Sequence, residues 1–444
     1  MAGLKDIFTA ETQRAQRRAE RIYQRGIVMA IDEANSGKSF DLLLKGGHVI
    51  DPANNVDGKM DVGIKGKEIV RIAPDIPMGE AVNAVDVSDH YVTPGILDIH
   101  THVYTFKLTG SYYVMSLNAD AHLLSAGVTT TVDAGTAGWK NFPDFKEKCI
   151  DKARTRILAF INIADRGMLV KESEQNLKEL NPKVAAAVAE EYSDVIVGIK
   201  TAHYWTTKPW DADHPPWASV ERAVEAGEIC GKPVMVDFWP RPPKRSYPDL
   251  ILKKLRPGDI HTHVYARQFP IVDENGKVYD YMLQARDRGT IFDLGHGAGS
   301  FWFRNAVPSL KDGFPPDSIS TDLHMGNING PVVSMLRTMS KYLSMGMPLQ
   351  EIIMRSTVAP AREIGRPELG TLSVGAEADV AVLKSLEGTF GFTDCGKAKM
   401  IGNKKLECVM TLRAGSIVYD PTGLSMPEWE NAPEPYWEIP KLQT

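Results

Sequence analysis

Thr93-Pro94-Gly95-Ile96-Leu97-Asp98-Ile99-His100-Thr101-His102 is the stretch from which the fold of this chain is read. An apolar run of strand length ends in two histidines one residue apart. Side chains alternate along a strand, so His100 and His102 leave the same face. Two imidazoles converging at a strand end make a claw for a divalent metal. The pair alone carries little weight, but segments further along answer it.

From residue 94 to 360, strand-like runs alternate with helical patterns. The candidate strands are 95–100, 128–133, 156–163, 195–200, 233–238, 259–263, 290–294 and 318–323, with helical stretches such as 183–191 and 219–230 between them. Eight such repeats in about 250 residues match an α/β fold of the TIM (β/α)8 barrel type. An open doubly wound sheet is the alternative, but no Gly-x-Gly-x-x-Gly follows the first strand.

The flanks have another texture. Short β-rich runs occur at 41–50, 60–76 and 84–92 and return at 370–384 and 408–419. Two such segments at opposite chain ends are expected to close a small β-sandwich domain, 41–93 plus 361–425. Residues 1–40, rich in Arg, Glu, Gln and Ala, read as a helical extension packed on the body or on a partner subunit, with a solvated arm as the alternative. The tail, 426–444, holds Pro, Trp and Tyr without periodicity. It wraps a neighbouring subunit or lies on its own barrel, and with the helical front it leads us to expect a homo-oligomer.

Composition narrows the function classes. The 444 residues exceed one ordinary core. An apolar fraction of 43% and a charged fraction of 24% are those of a soluble globular protein. A net charge of −5 makes no electrostatic case for nucleic acid. No window approaches the ~18 apolar residues of a membrane span, and the N-terminus lacks the apolar run of a secretory signal. Cys149, Cys230, Cys395 and Cys408 lie far apart, so a reducing cytoplasm is the simpler expectation.

In a barrel, chemistry sits at the C-terminal ends of the strands. Read in turn, those ends carry His100 and His102 (first), Lys200 (fourth), Asp237 (fifth), His263 (sixth), His296 just past the seventh, and Asp322 (eighth). Singly, Lys200 reads as a snorkelling surface lysine, Asp237 or Asp322 as a helix cap, and His263 as a core histidine. Jointly they are hard to explain by packing. An ammonium beside divalent cations would be repelled. If Lys200 reacts with carbon dioxide, however, the resulting carbamate is an anionic ligand able to bridge two metals. Two hard or borderline cations held there would lower the pKa of a shared water towards ~7. Asp322 would then hold the hydroxide and shuttle its proton.

On these residues the chain resembles the amidohydrolase superfamily. The Pro-Gly-Ile-Leu-Asp-Ile-His-Thr-His motif, Gly-Ile-Lys200, Thr-His263 and Ser-Thr-Asp322 fall where that superfamily puts its metal ligands, and Phe-Asp-Leu-Gly-His-Gly resembles its deacetylase-like, dihydroorotase-related branch. The resemblance spans nearly all of 41–419. It implies His100, His102, Lys200, His263 and Asp322 as ligands of two divalent ions, zinc first, with manganese or iron as alternatives. Asp322 would also be the catalytic base, and His296 would lie beside the substrate and polarise the scissile carbonyl.

One position departs from the pattern. The usual binuclear site has histidine at the end of the fifth strand, where this chain has Asp237. If Asp237 ligates, two divalent cations are offset by Asp237, the carbamate, Asp322 and hydroxide, whereas the usual site keeps a net positive charge. A shift towards harder metals is the expectation, and a single tightly held metal is the rival. His261 should share an inward face with His263, one layer deeper. Asp98 should stand beneath His100 and orient an imidazole. His203 and His324 fall on loops at the mouth, as solvated side chains or substrate contacts.

The loops after the fourth and fifth strands are stiff, aromatic and basic: His203-Tyr204-Trp205-Thr206-Thr207-Lys208-Pro209-Trp210 and Phe238-Trp239-Pro240-Arg241-Pro242-Pro243-Lys244-Arg245. They suggest a pocket for an apolar group bearing a carboxylate, clamped by Arg241 or Arg245 and lined by Trp239, Trp205 and His324. The alternative is that these aromatics only pack loops or a subunit contact. The expectation is a metal-dependent hydrolase cutting an amide or ester bond of a small, carboxylate-bearing molecule. The rivals are a mononuclear deaminase or a lactonase of the same superfamily, and a non-catalytic scaffold.

Overall fold

A computed structural model describes residues 37–105 and 116–440. The helical extension expected over 1–40 lies almost wholly outside the described residues.

The middle of the chain forms one parallel sheet of seven strands: β6 (Ile96–Thr101), β7 (Val128–Gly138), β8 (Arg156–Asn162), β9 (Ile196–Thr201), β10 (Val234–Val236), β11 (Ile260–His261) and β12 (Ile291–Phe292). Each strand pairs with the next in sequence order. The segment expected as an eighth strand is not a regular strand. It nevertheless bridges both edges of the sheet, with Ser318 parallel to Asp293 and Leu323 parallel to Thr101. Leu294 N donates to Ser318 O (3.0 Å), and Asp322 N donates to His100 O (2.6 Å).

The observed strands are shorter than the apolar runs at β10, β11 and β12. At β11 the reason is visible: His263 has φ 65°, which an extended ladder cannot continue. Between strands, the helices Pro182–Glu191 and Ala218–Cys230 fall where the pattern puts them. Asn181 accepts from Val184 N to start the first, and Gly231 at φ 65° ends the second.

Leu97, Val132, Leu158, Phe160, Val197, Met235 and Ile260 form one buried cluster with Ala361, Ile364 and Leu369. The last three lie within the 361–425 range read above as terminal sheet. They pack with the strands of the parallel sheet instead, because the chain stays helical through Val358–Glu363 before returning to β structure.

Both chain ends do join in a second sheet. Its strands are β1 (Phe40–Asp51), β2 (Val56–Lys65), β3 (Glu68–Ala73), β4 (Ala81–Asp86) and β5 (Tyr91–Pro94), with β13 (Val380–Thr393), β14 (Lys399–Arg413) and β15 (Ser416–Tyr419). β5 carries the link, running parallel to β1 and antiparallel to β13, with Val92 opposite both Val49 and Val382. Leu42 and Leu44 bury on one side of β1 and Leu43 on the other, so both faces are covered. Arg156 of β8 ties the two sheets together through Asp379 (2.8 Å) and Glu377. The tail aromatics Trp429, Tyr436 and Trp437 are exposed and touch one another. Among the described residues, no helix is long and apolar enough to cross a membrane.

Candidate metal centre

The strand ends bring the candidate ligands together. His102 Nε2 lies 2.9 Å from Asp322 Oδ1, and His100 Nε2 lies 3.6 Å from the same oxygen. Among the described residues, His100, His102 and Asp322 are the trio that offers one ligand atom each within 4.8 Å of one another. Lys200 Nζ stands 3.3 Å from His100 Nε2, and the His100 and His263 rings are 5.0 Å apart. Asp237 Oδ2 lies 3.6 Å from His263 Nε2.

Partners behind each imidazole set its orientation. Thr262 Oγ1 donates to Asp293 Oδ2 (2.7 Å), so it can only accept from His100 Nδ1 (2.9 Å). That leaves His100 Nε2 without its proton and facing the centre. His263 Nδ1 donates to Gly295 O (2.5 Å), which turns Nε2 to the centre, where burial works against protonation but Asp237 outweighs it and raises the ring above the usual imidazole range. His102 Nδ1 meets Thr136 Oγ1 at 2.7 Å. Asp293 also accepts from Ser318 and Ser320, so the carboxylate behind His100 is itself held by the closing segment.

Two of these residues sit in strained backbone. His263 (φ 65°) and Asp322 (φ 51°) are left-handed, a region non-glycine residues rarely occupy. The consequence at β11 corrects the sequence reading. Ile260 joins the buried strand cluster, while His261 packs among Tyr247, Phe269 and Phe292. The turn at His263 then breaks alternation, so Thr262 and His263 both reach the centre and His261 does not share their face.

Lys200 has a tight passage. A Cβ on Gly135 would come 2.5 Å from Lys200 Cγ, and one on Gly297 would come 2.6 Å from Asp322 Oδ2. Both glycines also have positive φ, so backbone and space agree.

Burial shapes the charges. Desolvation pulls Lys200 below the usual lysine range, against the pull of Asp237 and Asp322. Burial, together with Lys200 and the neighbouring imidazoles, holds His100 neutral. At Asp237 burial pushes up, but His263, His203 and Lys200 outweigh it and keep the carboxylate well below its ordinary range. Asp322 behaves likewise through His102. Asp98, held by Thr321 Oγ1 (2.5 Å) and Thr321 N (3.0 Å), is pushed by burial to about 7. It braces the closing segment rather than an imidazole ring.

His296 is fully buried, and both ring nitrogens are engaged. Nδ1 donates to Gly297 O (3.0 Å), and Nε2 meets Lys341 Nζ (2.5 Å). In this arrangement no ring N–H is left for a substrate carbonyl. Arg245 is completely buried and donates to Tyr204 O (2.9 Å); Arg241 donates to Trp205 O (2.8 Å) and Lys208 O (2.7 Å). Both guanidinium groups fasten the loop after β9. Trp205 is buried and stacked on His214, whereas Trp239 is 40% exposed at the mouth. His324 has its ring 6.2 Å from that of His102.

Four participants escaped the sequence reading or were weighed lightly in it. Glu174, buried on a loop after β8, accepts from Asn162 Nδ2 (3.0 Å) and from His203 Nδ1 (3.3 Å). His203 Nε2 then lies 3.5 Å from Asp237 Oδ2. Asn327 donates to Asp322 O (2.6 Å) and accepts from His324 N (3.0 Å). Lys341 comes from the helix Met335–Ser344. None lies at a strand end, where a periodic pattern would have marked it.

No protein-family model matches the chain. A deacetylase of Enterococcus faecalis is 30% identical over 385 residues, covering 86% of this chain and 99% of that protein. A deacetylase of Brucella anthropi is 31% identical over 328 residues, covering 71% and 78%. Among solved structures, an adenine deaminase superposes with a TM-score of 0.76 at 27% identity, covering 86% of this chain and all of the other. A dihydroorotase superposes with a TM-score of 0.72 at 25% identity, covering 85% and 99%.

Proposed function

Because this chain belongs to the amidohydrolase superfamily, we propose that it is a metal-dependent hydrolase that removes an acyl group from a small, carboxylate-bearing molecule. The observation that carries this reading is the trio His100, His102 and Asp322, with Lys200 against His100. We read the parallel sheet and its closing segment as a complete (β/α)8 barrel, and the terminal sheet as a β-sandwich.

The donor set fits divalent ions. His100 presents an unprotonated Nε2, His263 turns its Nε2 to Asp237 at the centre, and Asp322 and Asp237 are held as carboxylates. His100, His102, Lys200, His263, Asp237 and Asp322 would hold two ions, zinc first, with Lys200 carboxylated. Burial favours the neutral amine that carbon dioxide requires. When bound, such ions supply Lewis acidity and a water of lowered pKa.

The protein's own groups do the rest. Asp322 turns Oδ1 to His102 and keeps Oδ2 to accept a proton from the attacking water. It then returns that proton to the departing oxygen or nitrogen. Thr262, Thr136 and Gly295 hold the imidazoles in register, so little reorganisation accompanies the charge change. Buried Lys341 donates to His296 Nε2 and to Pro331 O (2.6 Å), so it fixes that ring in place. Trp239 and His324 border the mouth, and Arg241 and Arg245 act through the loop they fasten.

The deaminase reading has the adenine deaminase neighbour on its side. The two deacetylases, at 30% and 31% identity, favour the hydrolase, and a buried Lys200 has a use in the two-metal site. The test is metal analysis of the purified protein, followed by a panel of N-acyl amino acids, O-acyl hydroxy acids, lactones and aminopurines, with and without bicarbonate. Acyl release that depends on bicarbonate supports the proposal; turnover of aminopurines alone overturns it. Sedimentation tests the further reading that the exposed tail forms a subunit contact.

A further inference from the structure

The centre has an imidazole too few at the end of β10 and one too many on the next loop inward. Asp237 occupies the strand end where the superfamily pattern has histidine. His203, three residues beyond Lys200, directs Nε2 to within 3.5 Å of Asp237 Oδ2, nearly the same separation as His263 Nε2 on the same oxygen at 3.6 Å. Asp237 Oδ2 is thus the hub of two imidazoles from different elements.

His203 is also built as the other site histidines are. Each has Nδ1 engaged from behind and Nε2 turned to the centre: His100 by Thr262, His102 by Thr136, His263 by Gly295 O. Behind His203 stands Glu174, whose side chain is 4% exposed and which Asn162 of β8 holds in turn. A buried carboxylate on the far nitrogen is the arrangement that fixes the ring of a metal-ligating histidine and raises its basicity. A surface loop histidine would have no need of a buried glutamate.

We propose that His203, oriented by Glu174, supplies the imidazole that β10 lacks and ligates the second of the two divalent ions beside Asp237. This rests on the two-ion reading above. The second ion would then bind Asp237, His203, His263 and carboxylated Lys200. The extra anion from Asp237 is accompanied by a neutral ring, which keeps borderline ions such as zinc acceptable alongside harder ones. His203 is a metal-binding residue in this proposal and Glu174 a positioning residue.

The experiment is metal titration of the full-length protein, stripped with chelator and reloaded with zinc or cobalt in bicarbonate. It is read by bound ions per chain, by the two dissociation constants, and by the cobalt absorption bands. Expected for wild type is two ions. Expected for His203→Ala is loss of one ion, or a rise of at least about tenfold in the weaker dissociation constant, with the tighter one unchanged. Glu174→Gln, which keeps the ring but loosens it, should raise the same constant by roughly tenfold to a hundredfold, and it decides the matter should His203→Ala fail to fold. In cobalt protein the bands of one site alone should change. His203→Ala binding two ions with wild-type constants overturns the proposal. One ion in wild type overturns the two-ion reading itself, and this proposal with it.

Discussion

Lys200 Nζ lies 3.3 Å from His100 Nε2, across one hundred residues of chain. Because His100 gives its Nδ1 proton to Thr262, the facing Nε2 is an acceptor, and the lysine donates to it. Both groups are buried, and both are drawn towards neutrality by that burial. An amine so placed is poised for chemistry that an exposed ammonium would not undergo.

The path of Lys200 depends on Gly135. In Gly135→Ala the new methyl would press on Lys200 Cγ and force the side chain aside. We expect the variant to lose bicarbonate-dependent metal uptake and at least about a hundredfold in kcat/KM, since misplacement of a reacting group by an ångström carries that cost. Metal analysis and steady-state kinetics check it. An unchanged metal content would remove Gly135 from the account.

Thr262 relays Asp293 to His100. Thr262→Val keeps the shape and removes the hydroxyl, so the His100 ring loses its anchor and Asp293 loses a donor. The dissociation constant of the ion at His100 should rise by about tenfold to a hundredfold, while Thr262→Ser stays near wild type. Equal affinities in Val and Ser variants would exclude the relay.

Arg245 and Arg241 are predicted to differ. Arg245→Ala leaves the buried Tyr204 carbonyl without its donor and should destabilise the fold by about 2 kcal/mol in chemical denaturation. Arg241 is partly exposed, and Arg241→Ala should cost less while loosening the loop at Trp205 and Lys208. If either residue clamps substrate directly, KM for an anionic substrate will rise with no loss of stability.

Lys341 carries a pH signature. Burial pulls it from the ordinary lysine value of 10.5 to about 7. Between those values the unfolded chain holds a proton on this amine that the native protein does not. Stability therefore rises with pH across that window, by at most about 1.4 kcal/mol per pH unit, and the full penalty of the buried ammonium is present below it. Lys341→Met should flatten this slope in urea denaturation at several pH values. Parallel slopes for the two proteins would show that Lys341 does not titrate there.

The sequence by itself determined the repeat and the rim. Strand alternation and apolar runs are local properties, so they can be counted along the chain. Seven of the eight runs contain a strand, and His100, His102, Lys200, Asp237, His263 and Asp322 come to one place. What stayed out of reach depends on contacts with no period. Alternation put His261 beside His263, but a single left-handed residue cancelled it.

The loop arginines read as open cations because charge is visible in sequence and the carbonyls that satisfy it are not. The partners behind the imidazoles came only with the tertiary structure: Glu174 for His203, Asp293 through Thr262 for His100, Lys341 for His296. Orientation of a side chain is decided by whatever buried donor or acceptor stands opposite it. That partner arrives from a distant element, at a distance along the chain that no local rule records.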